Sequence, residues 1–137
     1  MEQFYNLIEP DMTAVDAVIR RRLHSDIALV RQVAEYIIQG GGKRLRPALV
    51  LLAAGALDYR GTHHHELAAV IEFIHTATLL HDDVVDGSDL RRGRDTANAI
   101  FGNSASVLVG DFLYSRAFQM MVAVDDMRVM RVLSDAT

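Results

Sequence analysis

The stretch HDDVVDGSDLRRGRD, residues 81–95, packs four aspartates into residues 82–89 and follows them at once with three arginines. Residues four apart on an α-helix point in directions about 40° apart, so Asp82 and Asp86 share a face, one turn from each other, with Asp83 beside them. Three carboxylates so close repel unless a cation sits among them. A donor set made only of carboxylate oxygen suits Mg²⁺, which takes one or two protein carboxylates and completes its shell with phosphate oxygens and water. The competing reading is a solvated acidic helix end. Against it, the helix dipole disfavours acidic residues at a C-terminus, and the apolar run FIHTATLL leads directly into the cluster.

Two basic clusters accompany the aspartates. GGGKRLRP places Lys43, Arg44 and Arg46 at the start of a helix. Basic side chains beside free helix N–H groups form an anion site, for which phosphate is the usual occupant. The run is not a P-loop, because Arg44 stands where serine or threonine is needed and the upstream glycine is missing. A glycine-terminated helix followed by a solvated basic turn explains the same residues equally well. Arg91, Arg92 and Arg94 follow the aspartates, and guanidinium forks match phosphate oxygens in pairs. Local pairing with Asp82, Asp86 or Asp89 is the alternative, but surface ion pairs contribute little. Taken together, the carboxylates hold Mg²⁺, the metal and the arginines hold one diphosphate, and Lys43 with Arg46 holds a second. His75 and His81 are read as hydrogen-bonded helix residues. The run of histidines at 63–65 is read as solvent-facing, with only adventitious affinity for metal.

These groups must be positioned by helices. The chain has 137 residues, half of them hydrophobic, which is enough for one domain with a buried core. Its net charge of −4 gives no reason to expect nucleic acid as a partner, and the absence of cysteine excludes disulfides and thiolate metal sites. The acidic N-terminus, interrupted by Pro10, does not read as a signal peptide. The longest apolar stretch, residues 48–57, is too short to span a bilayer, so no transmembrane segment is expected and a cytoplasmic protein is. Apolar spacing predicts a helix over Val15, Val18, Ile19 and Leu23. A second is expected to be capped by Ser25 or Asp26 and to bury Ile27, Val30, Ala34, Ile37 and Ile38. The glycines at 40–42 end that helix, and Pro47 sits in the first turn of the next. The helix from about Glu66 to Val85 carries the stripe Leu67, Val70, Ile71, Ile74 and Thr78, and Ala68, Ala69, Ala77, Leu79 and Leu80 fill much of the rest, so it is expected to be buried on most sides. A loop covers 87–96, a short helix 96–101, and a long helix runs from about Ser104 to Val124. A last helix starts near Asp125 and is still running when the chain stops.

Three motifs, GGKRLRP (41–47), FIHTATLLHDDVVDGSDLRRG (73–93) and GDFLYSRAF (110–118), together resemble the trans-polyprenyl diphosphate synthases, most closely the bacterial octaprenyl diphosphate synthases. The resemblance implies an all-α fold, the N-terminal part of the isoprenoid synthase helical bundle. It assigns Asp82 and Asp86 to Mg²⁺ with Asp83 assisting. It assigns Lys43, Arg46, His75 and Arg92 to isopentenyl diphosphate, and Arg91 to the allylic diphosphate, of which farnesyl diphosphate is the expected example. It implies chain elongation for quinone side chains and a homodimer. Product length in the family follows the depth of an apolar tunnel below the metal site. The family pattern nominates Ala77 for that tunnel, whereas helix geometry favours Thr78 on the Asp82 face, with Ile74 deeper. The family's second aspartate-rich motif does not occur in residues 1–137, so the chain is expected to be the N-terminal portion of such an enzyme, inactive alone and self-associated through its apolar faces. Two rivals stay open: a non-catalytic helical partner subunit of a full-length synthase, and an HD-type phosphohydrolase using His75 and His81.

Overall fold

The computed structural model describes residues Glu2–Thr137. Seven helices follow in order: α1 (Glu2–Arg22), α2 (Ala28–Gln39), α3 (Leu45–Ala56), α4 (His63–Val85), α5 (Ala97–Phe101), α6 (Asn103–Val124) and α7 (Met127–Ala136). Between α4 and α5 lies an antiparallel hairpin of β1 (Leu90–Arg91) and β2 (Arg94–Asp95), paired Leu90 with Asp95 and Arg91 with Arg94. The expected all-α bundle is therefore present, with this small hairpin where a loop was expected.

α4 is the axis of the fold, packing most extensively on α6 and also on α3 and α1. Its buried residues are Ala68, Ala69, Val70, Phe73, Ala77, Leu80 and Asp83. Ala68, Ala69, Ala77 and Leu80 are buried as expected of a helix covered on most sides, but the expected stripe is corrected. Thr78 is exposed, and Leu67, Ile71 and Ile74 are half-buried. Alanines 68, 69 and 77 win because small side chains let neighbouring helices come close, and dense contact outweighs the bulk of a single Ile or Leu. From α6, Val109, Leu113, Ala117, Met120 and Met121 fill the other side of the core. By length and composition α6 is apolar enough to cross a membrane, which amends the expectation from residues 48–57, but much of it is core packed on α4.

Two local expectations also change. α2 begins after Ile27, which stands at the N-cap without a side-chain cap and is 63% exposed rather than buried. Ser25 Oγ instead accepts from the Ile27 N–H. α1 runs straight through Pro10 and starts at Glu2. Several large apolar side chains remain at the surface, among them Leu49, Leu57, Leu108, Val122 and Val132, whereas none on α4 between residues 67 and 80 does.

Candidate functional site

The two basic loops meet because glycine lets them. Gly41 (φ +56°) turns the chain after α2, and Arg44 (φ 50°) caps α3 in the left-handed region. Opposite them, Arg92 (φ 52°) and Gly93 (φ 75°) form the two-residue turn of the hairpin. Both central residues have positive φ, the turn that matches strand twist. A Cβ on Gly40 would stand 2.1 Å from Arg94 Nη1, and one on Gly42 would stand 3.7 Å from Arg92 Nη1. The hairpin's arginines thus lie directly over the glycine loop.

Between the loops and α4 is a cavity of about 310 Å³ lined by Lys43, Arg46, His75, Asp83, Arg91, Arg92 and Arg94, with an apolar floor that includes Phe73, Leu79, Leu80 and Leu113. Arg46 Nη1 is 3.2 Å from His75 Nε2, so residues 29 apart in sequence meet as expected. Lys43 is held by its backbone, whose carbonyl accepts from the Tyr5 hydroxyl at 2.6 Å. Arg44 belongs to the scaffold rather than the site: it reaches Glu72 at 3.3 Å and Asp16 at 3.7 Å. Arg94 lies over the Tyr36 ring, 4.3 Å from its centre. Among the described residues, Lys43, Arg46 and Arg92 form no ion pair. The cavity therefore holds more cation than its own acids balance, and an anion with several oxygens fits it. Burial, and next the Arg46 charge, hold the His75 imidazole below its ordinary 6.5, so His75 is neutral near pH 7.

The aspartates divide. Asp83 is buried and accepts two bonds from Arg91, from Nε at 3.0 Å and from Nη2 at 2.7 Å. That fork, with Asp83 foremost, raises the Arg91 guanidinium still further above its ordinary range. Asp82 and Asp86 are exposed, do not line the cavity and make no ion pair among the described residues. Two free carboxylates a turn apart, carrying oxygen donors only, fit a hard divalent cation such as Mg²⁺. The loop behind them is fixed by Thr96, whose hydroxyl donates to the Ser88 carbonyl at 2.8 Å, and by Asn98, which donates to the same oxygen at 3.0 Å.

The tunnel candidates Ile74, Ala77 and Thr78 do not line this cavity. Ala77 is 1% exposed within the core, and the Thr78 hydroxyl donates to the His75 carbonyl at 2.7 Å. His81 faces α6 instead of His75: its Nε2 lies 3.2 Å from the Val107 carbonyl and 3.3 Å from Asp111. The two histidines of the phosphohydrolase reading thus serve different places. The sequence motifs did not reveal the supporting roles of Tyr5, Tyr36, Glu72 and Gly110. The last is the point where His81 needs a helix without a side chain.

The family model described as "Polyprenyl synthetase" matches residues 27–137. Octaprenyl diphosphate synthase of Escherichia coli (strain K12) is 57% identical over 136 residues, covering 99% of this chain and 42% of the relative. A solved decaprenyl diphosphate synthase from Rhodobacter capsulatus superposes with a TM-score of 0.94 at 51% identity, covering 98% of this chain and 42% of that one. A polyprenyl synthase from Caulobacter crescentus CB15, solved with calcium and isoprenyl diphosphate, gives a TM-score of 0.95 at 49% identity over 98% of this chain and 41% of its own. The chain thus spans about two fifths of the length of the relatives it matches.

Proposed function

The chain belongs to the polyprenyl synthetase family, and on that premise we propose that it is the diphosphate- and metal-binding part of a long-chain trans-polyprenyl diphosphate synthase. The observation that carries this reading is the surplus of cationic side chains around one cavity beside two unpaired carboxylates. Lys43, Arg46, His75 and Arg92 bind the diphosphate of isopentenyl diphosphate. Arg91, oriented by Asp83, faces the diphosphate of an allylic substrate such as farnesyl diphosphate. Asp82 and Asp86 are the residues that would hold Mg²⁺. When bound, the metal supplies positive charge to the departing diphosphate.

The chain's own residues contribute preorganisation. The Asp83 fork fixes Arg91 before substrate arrives, so little reorganisation is needed as negative charge develops on the leaving group. Neutral His75 accepts or donates a hydrogen bond beside Arg46 without adding a like charge. The apolar floor of Phe73, Leu79, Leu80 and Leu113 keeps water from the hydrocarbon end. A product of octaprenyl length for quinone side chains, a cytoplasmic location and a homodimer complete the proposal. The 137-residue chain is the N-terminal portion of the synthase and is inactive alone.

The test is a chimera in which this chain replaces the matching 42% of the Escherichia coli relative. It should incorporate isopentenyl diphosphate into long-chain product when Mg²⁺ is present, and the chain alone should not. Asp82→Ala in a folded chimera should lower turnover by orders of magnitude. Near-normal turnover in that variant would remove the metal assignment.

A further inference from the structure

The start of α4 meets α1 at three side chains that prenyl transfer leaves unused. Asp11 Oδ1 lies 2.7 Å from His65 Nε2 and 3.6 Å from His64 Nε2. The two imidazoles lie against each other tilted by 34°, 4.1 Å between centres, and Tyr59 closes on His64 edge to face. Their side chains are only 14% and 21% exposed, which corrects the solvent-facing expectation for these two, while His63 is exposed as expected. The buried Nδ1 of His64 has no hydrogen-bond partner among the described residues.

We propose that Asp11, His64 and His65 form a binding site for a divalent transition metal of the zinc type, distinct from the aspartates at the other end of α4. The two ends are about 27 Å apart, from 18 residues at 1.5 Å each. One donor atom from each of the three residues lies within 4.8 Å of the others. Zinc with nitrogen and oxygen ligands at about 2.0–2.1 Å holds them roughly 3.3 Å apart, so small side-chain rotations complete the set. Three protein ligands leave a fourth position for water. Imidazole selects zinc-like metals over Mg²⁺, which prefers oxygen. Burial, and next the neighbouring His65, hold the His64 imidazole below its ordinary 6.5, and the bond to His65 holds Asp11 below its ordinary 3.8. The α4 dipole opposes a cation here, a modest effect beside two imidazoles and a carboxylate. Because Asp11 is on α1 and the histidines are on α4, a bound metal would tie the two helices together.

The measurement is calorimetric titration of the chelator-treated chain with Zn²⁺ in excess Mg²⁺, followed by Co²⁺ absorption spectroscopy. One Zn²⁺ per chain is expected. Asp11→Asn, which keeps the side chain's shape, and His65→Gln should each weaken binding at least tenfold, and His24→Gln should leave it unchanged. Co²⁺ should give the intense visible bands of a four-coordinate site. Zn²⁺ binding that survives both substitutions would mean adventitious surface binding and overturn the proposal, as would no binding, or a weak six-coordinate cobalt spectrum. Circular dichroism of the two variants shows that lost binding is not lost folding.

Discussion

Asp83→Asn tests whether the middle aspartate orients an arginine. The side chain keeps its volume but loses the charge that accepts two bonds from Arg91 at 2.7 and 3.0 Å. Removing one partner of a fully buried pair costs about 3–5 kcal/mol. Here the Asp83 side chain is 8% exposed but that of Arg91 is 41% exposed, so water can reach the abandoned guanidinium. Screening on that side brings the expected loss down to about 2 kcal/mol. Urea denaturation of the two single variants, Asp83→Asn and Arg91→Gln, and of the double variant closes a cycle. The coupling should be about 1–2 kcal/mol, since the residues are in direct contact. The same variant should weaken pyrophosphate binding, because Arg91 loses its fixed direction, while Mg²⁺ affinity should follow Asp82 and Asp86 instead. A coupling indistinguishable from zero would show that the fork is not formed in solution. A loss of Mg²⁺ affinity equal to that of Asp82→Asn would show that Asp83 serves as a metal ligand.

Two further outcomes follow from the geometry. His75 should titrate below 6.5 in the free chain, because burial and Arg46 disfavour its charged form. The sign is that of a depressed base: the stability it contributes is full above the unfolded value near 6.5 and is lost as pH falls below it. Histidine NMR should show the midpoint rising when pyrophosphate binds, and a free-chain midpoint above 6.5 would contradict the placement beside Arg46. Gly110→Ala is ordinarily worth about 1 kcal/mol of added helix stability, but its Cβ would stand 2.3 Å from His81 Nε2. His81 must then leave Val107 and Asp111, so the variant should lose about 1 kcal/mol net. In a His81→Ala background the same change should stabilise instead, and denaturation of the four proteins decides it.

Much of the site could be read before any coordinates. The helix start at the glycine loop and the position of the aspartates at the end of α4 follow from motifs whose spacing is tied to local structure, whereas the meeting of Arg46 with His75, 29 residues apart, is implied only by the family resemblance. What escaped depends on tertiary neighbours. By residue type alone Asp83 groups with Asp82 and Asp86, although Phe73, Ala77 and Leu80 repeat at helical spacing and carry the buried face straight to Asp83. A buried acid requires a cation, and Arg91 was available. The hairpin was hidden because Arg92–Gly93 is not the usual asparagine–glycine turn and needs an arginine at positive φ. The histidines at 64 and 65 looked solvated because their partner, Asp11, is more than fifty residues away on another helix. The phase of the α4 stripe is not legible in the sequence, because a helix covered by α1, α3 and α6 has little polar face to set the pattern.

The central claim is that the cavity between the glycine loop and the hairpin receives a diphosphate. Calorimetric titration of the chain with isopentenyl diphosphate tests it most directly, with the Arg46→Ala chain titrated in parallel. One equivalent should bind to the parent chain, and loss of one charge-assisted contact of about 1.5–3 kcal/mol should weaken binding by roughly tenfold to a hundredfold in the variant. Equal affinity for the two chains, or no binding to the parent, would contradict the assignment.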